Sequence, residues 1–230
     1  MVKIDIIAAY ELEINKLDNA LEKPDVDNSI YWINQAIYKF TKDRFNGNAP
    51  KRTSYEQNEK RTRDLVKLLK EVSLNTPEPE TSHVNYDSYT YSYPEDMMFV
   101  LNEDVVISDM TDNNMQDTCV FECTADSFMY RINNSLTDFH YKHHRARPLR
   151  VRTSDGFRLL TDKNYKIHSY TLGYLKTPEE IEVDSIPSTE YNDFEDYTWL
   201  EIVKIAAQMY IENQSDPRYR TITNEVLTQE

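Results

Sequence analysis

The apolar period of this chain changes twice, from near 3.6 residues to two and back again. The first change falls at a polar, proline-bearing stretch, Ser73 to Ser82 (SLNTPEPETS), and the second near Trp199. A stripe at helical spacing cannot keep facing one way along a strand, so the pattern demands helices, then strands, then a closing helix. The fold class expected is α+β: a helical bundle with an inserted antiparallel β-rich domain. The bundle would comprise three N-terminal helices and one C-terminal helix.

In the first part, Ile7, Tyr10, Ile14, Leu17 and Leu21 form one apolar stripe, broken by Pro24 and the Asp25-Val26-Asp27 that follows. A second helix starts near Asp27 or Ser29, with Ile30, Ile33, Ala36, Ile37 and Phe40 inward and Gly47 closing it. A third is expected from Thr53 to Val72. Thr53 and Glu56 are spaced for a capping box, and Thr62, Leu65, Leu69 and Val72 line the inner face. Beyond the linker, Tyr89, Tyr91 and Tyr93 alternate with Thr90 and Ser92. Met97 to Ile107, Thr118 to Ile132, Phe157 to Thr161 and Tyr165 to Leu175 also read as strands, while Leu136 to Pro148 has no period and reads as a loop. Leu200 to Asn213 returns to helix, with Trp199, Ile202, Val203, Ala206 and Tyr210 on one side. Pro217 ends it, and Thr221 to Leu227 adds a turn or two. The expected division is residues 1–75 as helical bundle, 76–185 as β-rich domain, and 186–230 as a helix returning to the bundle plus an extended tail.

Composition narrows the function. Hydrophobic residues make up 39% of the 230, low for a self-contained monomer and suited to burial against neighbours. The 17 tyrosines suit amphipathic interfaces or an exposed sheet face. Net charge is −14, so the average field opposes duplex binding, whereas a passage through which duplex must slide benefits from that sign. Charge is also segregated. Lys39 to Lys70 holds ten Lys/Arg against four acids, and His140 to Arg152 is a second basic run. Glu179 to Glu201 has nine acids and no Lys or Arg. Opposed blocks pair internally, sit solvated, or join the basic face of one subunit to the acidic face of the next in a ring.

Nothing nominates an active site. Three glycines, Gly47, Gly156 and Gly173, are too few for phosphate-cradling loops, and no nucleotide, zinc-protease or serine-hydrolase motif occurs. Cys119 and Cys123 read as reduced, buried residues on one face of a strand. They and His140, His143 and His144 are metal-ligating types, but the spacing is wrong and five cations surround the histidines. The carboxylates Asp193, Glu195 and Asp196 read as a solvated start to a helix. The basic run has one interleaved aromatic, Tyr141, which is poor for gripping single strands. No enzyme activity, cofactor or metal is expected. The N-terminal MVKIDIIAAYELEINKL carries Asp5, Glu11 and Glu13, so neither signal peptide nor membrane span is expected there.

Several motifs in order resemble a known family: Tyr93-Pro94-Glu95-Asp96, Arg147-Pro148-Leu149-Arg150, the Tyr170 to Pro178 strand (YTLGYLKTP), the Trp199 to Tyr210 helix and Asp216-Pro217-Arg218-Tyr219. Together they are similar to the head–tail adaptor or ring proteins of podovirus-type tailed phages, most closely crAss-like ones. The resemblance implies a virion protein at the head–tail junction, made in the bacterial cytoplasm. It implies a ring of twelve copies, docked on the portal protein and on the next tail ring or hub, with duplex DNA passing through unbound. Expected contact residues are Arg61, Arg63 and Lys67 on the third helix, Lys142, Arg145, Arg147, Arg150 and Arg152 in the basic run, and Arg218 and Tyr219 in the tail. The competing expectation is a peripheral adhesion or receptor-binding module, supported by the tyrosine-rich strands.

Overall fold

A computed structural model describes residues 2–17, 24–46, 58–75, 79, 81–110, 114–143, 145–154, 156–182 and 190–214. The chain is α+β and divides into two compact units. One is Met1–Leu68 with Pro178–Glu230, and the other is Leu69–Thr177.

The first unit is helical. Helices α1 (Lys3–Leu17) and α2 (Val26–Asn46) both pack on the last long helix, which spans Trp199–Asn213. On α1, Ile6, Ile7, Tyr10 and Ile14 are buried, and on α2 the whole expected stripe from Ile30 to Phe40 is. The closing helix buries Trp199, Ile202, Val203, Ala206 and Tyr210 as its spacing requires. It also buries Ile205, Ala207 and Ile211, because a helix touching two neighbours needs a broader apolar arc than one stripe. The acidic stretch before it contributes aromatics to the core. Tyr191, Phe194 and Trp199 cluster with centroids 5.0–6.0 Å apart, and Phe194 meets Phe40 edge-on at 5.8 Å.

The third helix departs from expectation. Helix α3 covers Glu59–Asp64 alone, capped by Asn58, whose side chain accepts from the Arg61 amide at 3.4 Å. After a 3₁₀ turn at Val66–Leu68, strand β1 runs over Leu69–Leu74. Leu69 and Val72 therefore lie on a strand, paired with Leu175 and Leu172. A free antiparallel edge overrode the helical spacing, which is a weak signal over so short a window. The Thr53–Glu56 capping pattern, Gly47, Leu21 and Pro217 lie outside the described residues.

The second unit holds two sheets. Its further strands are β2 (Thr81–Ser82), β3 (Asp87–Ser92), β4 (Met97–Asp109), β5 (Met115–Cys119), β6 (Phe121–Cys123), β7 (Leu149–Arg152), β8 (Gly156–Thr161) and β9 (Tyr165–Lys176). Helix α4 (Phe128–Asn133) follows β6, and the closing helix is α5. One sheet has the order β1-β9-β4-β5 and the other β2-β3-β8-β7-β6. All pairs are antiparallel except β6 with β7. Tyr89, Tyr91, Phe157 and Leu159 from one sheet share a core with Val105, Ile107, Tyr170 and Leu172 from the other. A smaller core of Ile132, Phe139, Leu149, Val151 and Leu160 lies around α4.

Three expectations are corrected here. Thr118 to Ile132 is two short strands and a helix, not one strand. Strand β7 lies inside the basic run, where Arg150 and Arg152 mask its alternation. The cysteines do not share a face: Cys119 is exposed at the end of β5, and Cys123 is buried on β6 in the other sheet. Both are free thiols, and burial raises the pKa of Cys123.

Candidate functional site

The Leu136 to Pro148 stretch is a loop of turns as expected, but it is fastened at many points. The Asp162 carboxylate accepts the Tyr141 amide at 2.7 Å and the Asn164 amide at 3.0 Å. The Tyr165 hydroxyl donates to the Phe139 carbonyl at 3.2 Å, and Thr118 donates to that of Ala146 at 2.8 Å. Phe139 and Ala146 are themselves buried. At the tip, Lys142 and Arg145 exchange backbone bonds of 3.0 and 2.9 Å, with His143 left-handed at φ 51°. Such a reversal needs positive φ at its centre. His144 lies outside the described residues.

Between this loop and strand β5 is a cleft of about 510 Å³. Lys142, Arg145, Arg147 and His140 line it, together with Asp117 and Asp138. Lys142 donates to the Ser135 carbonyl, and Arg147 lies 3.8 Å from Asp138. Lys142, Arg145 and Arg147 are all exposed. Clustered cations in a concavity suit an anionic partner.

The remaining expected contact residues divide by burial. Arg150 is 3% exposed and points between the sheets, where it lies 2.8 Å from both Glu103 and Glu122. Arg152 is exposed and pairs with Glu122 at 2.8 Å. On α3, Arg61 is buried and Arg63 exposed. Lys67 sits on the 3₁₀ turn, 3.2 Å from the Phe194 carbonyl and 3.3 Å from Glu195. Arg218 and Tyr219 lie outside the described residues. The structure thus brings Lys142, Arg145 and Arg147 together and turns Arg61 and Arg150 inward.

Two buried ionic groups escaped sequence reasoning. Arg44 on α2 pairs with Asp64 on α3 at 2.9 Å and with Glu201 on α5, tying three helices at one point. Burial raises the Asp64 carboxyl, opposed by Arg44 and by a hydrogen bond from Tyr197. Glu103 on β4 accepts from the Tyr170 hydroxyl at 2.6 Å. Burial again lifts its carboxyl above the usual range, against the pull of Tyr170 and Arg150. No sequence signal marks these residues, since a lone charge in a strand or helix is ordinarily solvated.

Among the described residues, no cluster of three or more His, Cys, Asp or Glu is arranged to hold a metal, and no helix is long and apolar enough to cross a membrane. Of the tyrosines of the β region, Tyr89, Tyr91, Tyr165, Tyr170 and Tyr174 are buried, while Tyr130 is exposed. The five buried ones contribute to the core between the strands and offer no surface for adhesion.

A family described as phage tail ring protein 3/4, of crAss-like phages, aligns with residues 13–193, which takes in parts of both units. No curated protein matches the chain.

Proposed function

Since the chain belongs to the crAss-like phage tail ring protein 3/4 family, a structural component of the virion tail, we propose that it is one subunit of a closed homo-oligomeric ring on the tail axis. The ring continues the DNA channel below the portal, docks on the portal or on a ring already seated there, and receives the next tail component. Twelve copies would match the portal symmetry that the resemblance implies. The observation that carries this reading is the family match, which extends over most of the chain.

The physical features agree with a geometric role. Identical subunits close a ring only through two different, complementary surfaces on each copy. The chain has segregated charge from which such surfaces can be made. A net charge of −14 disfavours retention of duplex, which a passage for ejected DNA requires. The role proposed is one of fitted surfaces and requires no bond to be made or broken.

Cryo-electron microscopy of intact particles tests the proposal. The expected result is density for this subunit around the tail axis with closed rotational symmetry, in contact with coaxial rings above and below. Density away from the axis, or in a single copy, would overturn it.

A further inference from the structure

The same chain carries a second rigid charged feature, opposite in sign to the cleft. Residues 178–182 are pinned from behind. Asn34 on α2 grips Ile181 from both sides, donating to its carbonyl at 3.1 Å and accepting its amide at 2.9 Å. Ile181 and Pro178 are buried. Asp193 accepts the Glu179 amide at 2.9 Å, and Tyr191 donates to the Glu179 carbonyl. With Pro178 and Ile181 turned inward, Glu179, Glu180 and Glu182 are exposed as a ridge of carboxylates, and the Tyr38 hydroxyl donates to Glu180 at 2.9 Å.

We propose that this ridge of one subunit seats in the cleft of its neighbour, with Glu179 and Glu180 against Lys142 and Arg145. The contact rests on the ring reading above and names its occupant as a second copy of this chain. Two observations favour that occupant. The signs are complementary, and both surfaces are held by backbone hydrogen bonds before they meet, so little ordering is needed on contact. The two patches are different surfaces of one chain, as a head-to-tail ring requires.

The test uses the full chain and two charge reversals at exposed positions, with folding of each checked by circular dichroism and thermal melting. One variant is Lys142→Glu with Arg145→Glu, and the other is Glu179→Lys with Glu180→Lys. Self-association is followed by sedimentation velocity and mass photometry at low salt. Each variant alone should require about tenfold or more higher concentration to associate. An equimolar mixture should recover wild-type association, because each acidic cleft then meets a basic ridge and each basic cleft an acidic ridge.

Rings that form unchanged from either variant overturn the contact and leave the ring reading standing. Loss of association that mixing fails to restore also overturns it, since the two clusters would then not meet between subunits. Retention of a duplex DNA fragment by the wild type, lost with Lys142→Glu/Arg145→Glu, assigns the cleft to phosphate and overturns it as well. A wild-type chain that stays monomeric at every concentration, purified portal included, overturns both the contact and the ring.

Discussion

Arg150 and Glu103 lie 2.8 Å apart on facing sheets, each side chain at most one-tenth exposed, with the Tyr170 hydroxyl on the other Glu103 oxygen. A period of two along β7 turns Leu149 and Val151 toward α4 and Arg150 the opposite way. The same period along β4 turns Glu103 to the face of Val105 and Ile107. The pair is an ionic cross-link within an otherwise aromatic and aliphatic core.

Removing one partner should cost far more than removing both. Arg150→Met leaves Glu103 buried without its cation and is expected to destabilise by about 3–5 kcal/mol. Glu103→Gln with Arg150→Met keeps an acceptor for Tyr170 and should lie much closer to the wild type. Urea unfolding followed by near-ultraviolet circular dichroism measures the cycle. The raised Glu103 carboxyl binds its proton more tightly in the folded state. Stability should therefore fall as pH rises from the ordinary 4.5 through the raised folded value, and Glu103→Gln should abolish that fall.

Asp96 should have the opposite pH signature. The Lys70 ammonium, 2.6 Å away, and the Tyr174 hydroxyl, 2.9 Å away, hold its carboxyl below the usual 3.8. The stability it adds is present above 3.8 and lost as pH falls through the depressed value. Both side chains are more than a third exposed, so solvent screening limits the effect to about 0.2–1 kcal/mol. Asp96→Asn should flatten the acid limb of the stability curve, as read by unfolding series at stepped pH.

Two glycines should differ in their tolerance of alanine. A Cβ at Gly156 would sit 2.0 Å from the Tyr91 carbonyl oxygen, which is backbone within the sheet. At Gly173 the obstacle, 1.8 Å away, is the end of the Asn102 side chain, which can rotate aside. Gly156→Ala is expected to cost about 1–3 kcal/mol and Gly173→Ala less, measured as shifts in the urea midpoint.

Asp162 should govern the basic loop without altering its charge pattern at the tip. Asp162→Ala removes the acceptor of the Tyr141 and Asn164 amides and is expected to cost about 1–3 kcal/mol. Amide hydrogen exchange at Tyr141 should accelerate, while exchange on α5 should be unchanged.

The sequence by itself determined the elements whose apolar period is long and unopposed. The stripes of α2 and α5 repeat over enough residues to outweigh local propensity, and β-branched and aromatic enrichment marks β4, β8 and β9. Charge segregation was legible as well, along with the loop that carries Lys142, Arg145 and Arg147. Tertiary structure decided the places where a short window fits two periods. Leu69 and Val72 satisfy helical spacing, yet they lie on β1 because β9 offered an edge to pair with. It also decided which charges are surface and which are core. Arg150 and Arg147 are three residues apart in one basic run, but strand geometry buries the first beside Glu103 and loop geometry exposes the second. A sequence records that a residue is charged; its exposure depends on which distant carboxylate the fold brings within reach, because only such a partner offsets the cost of leaving water.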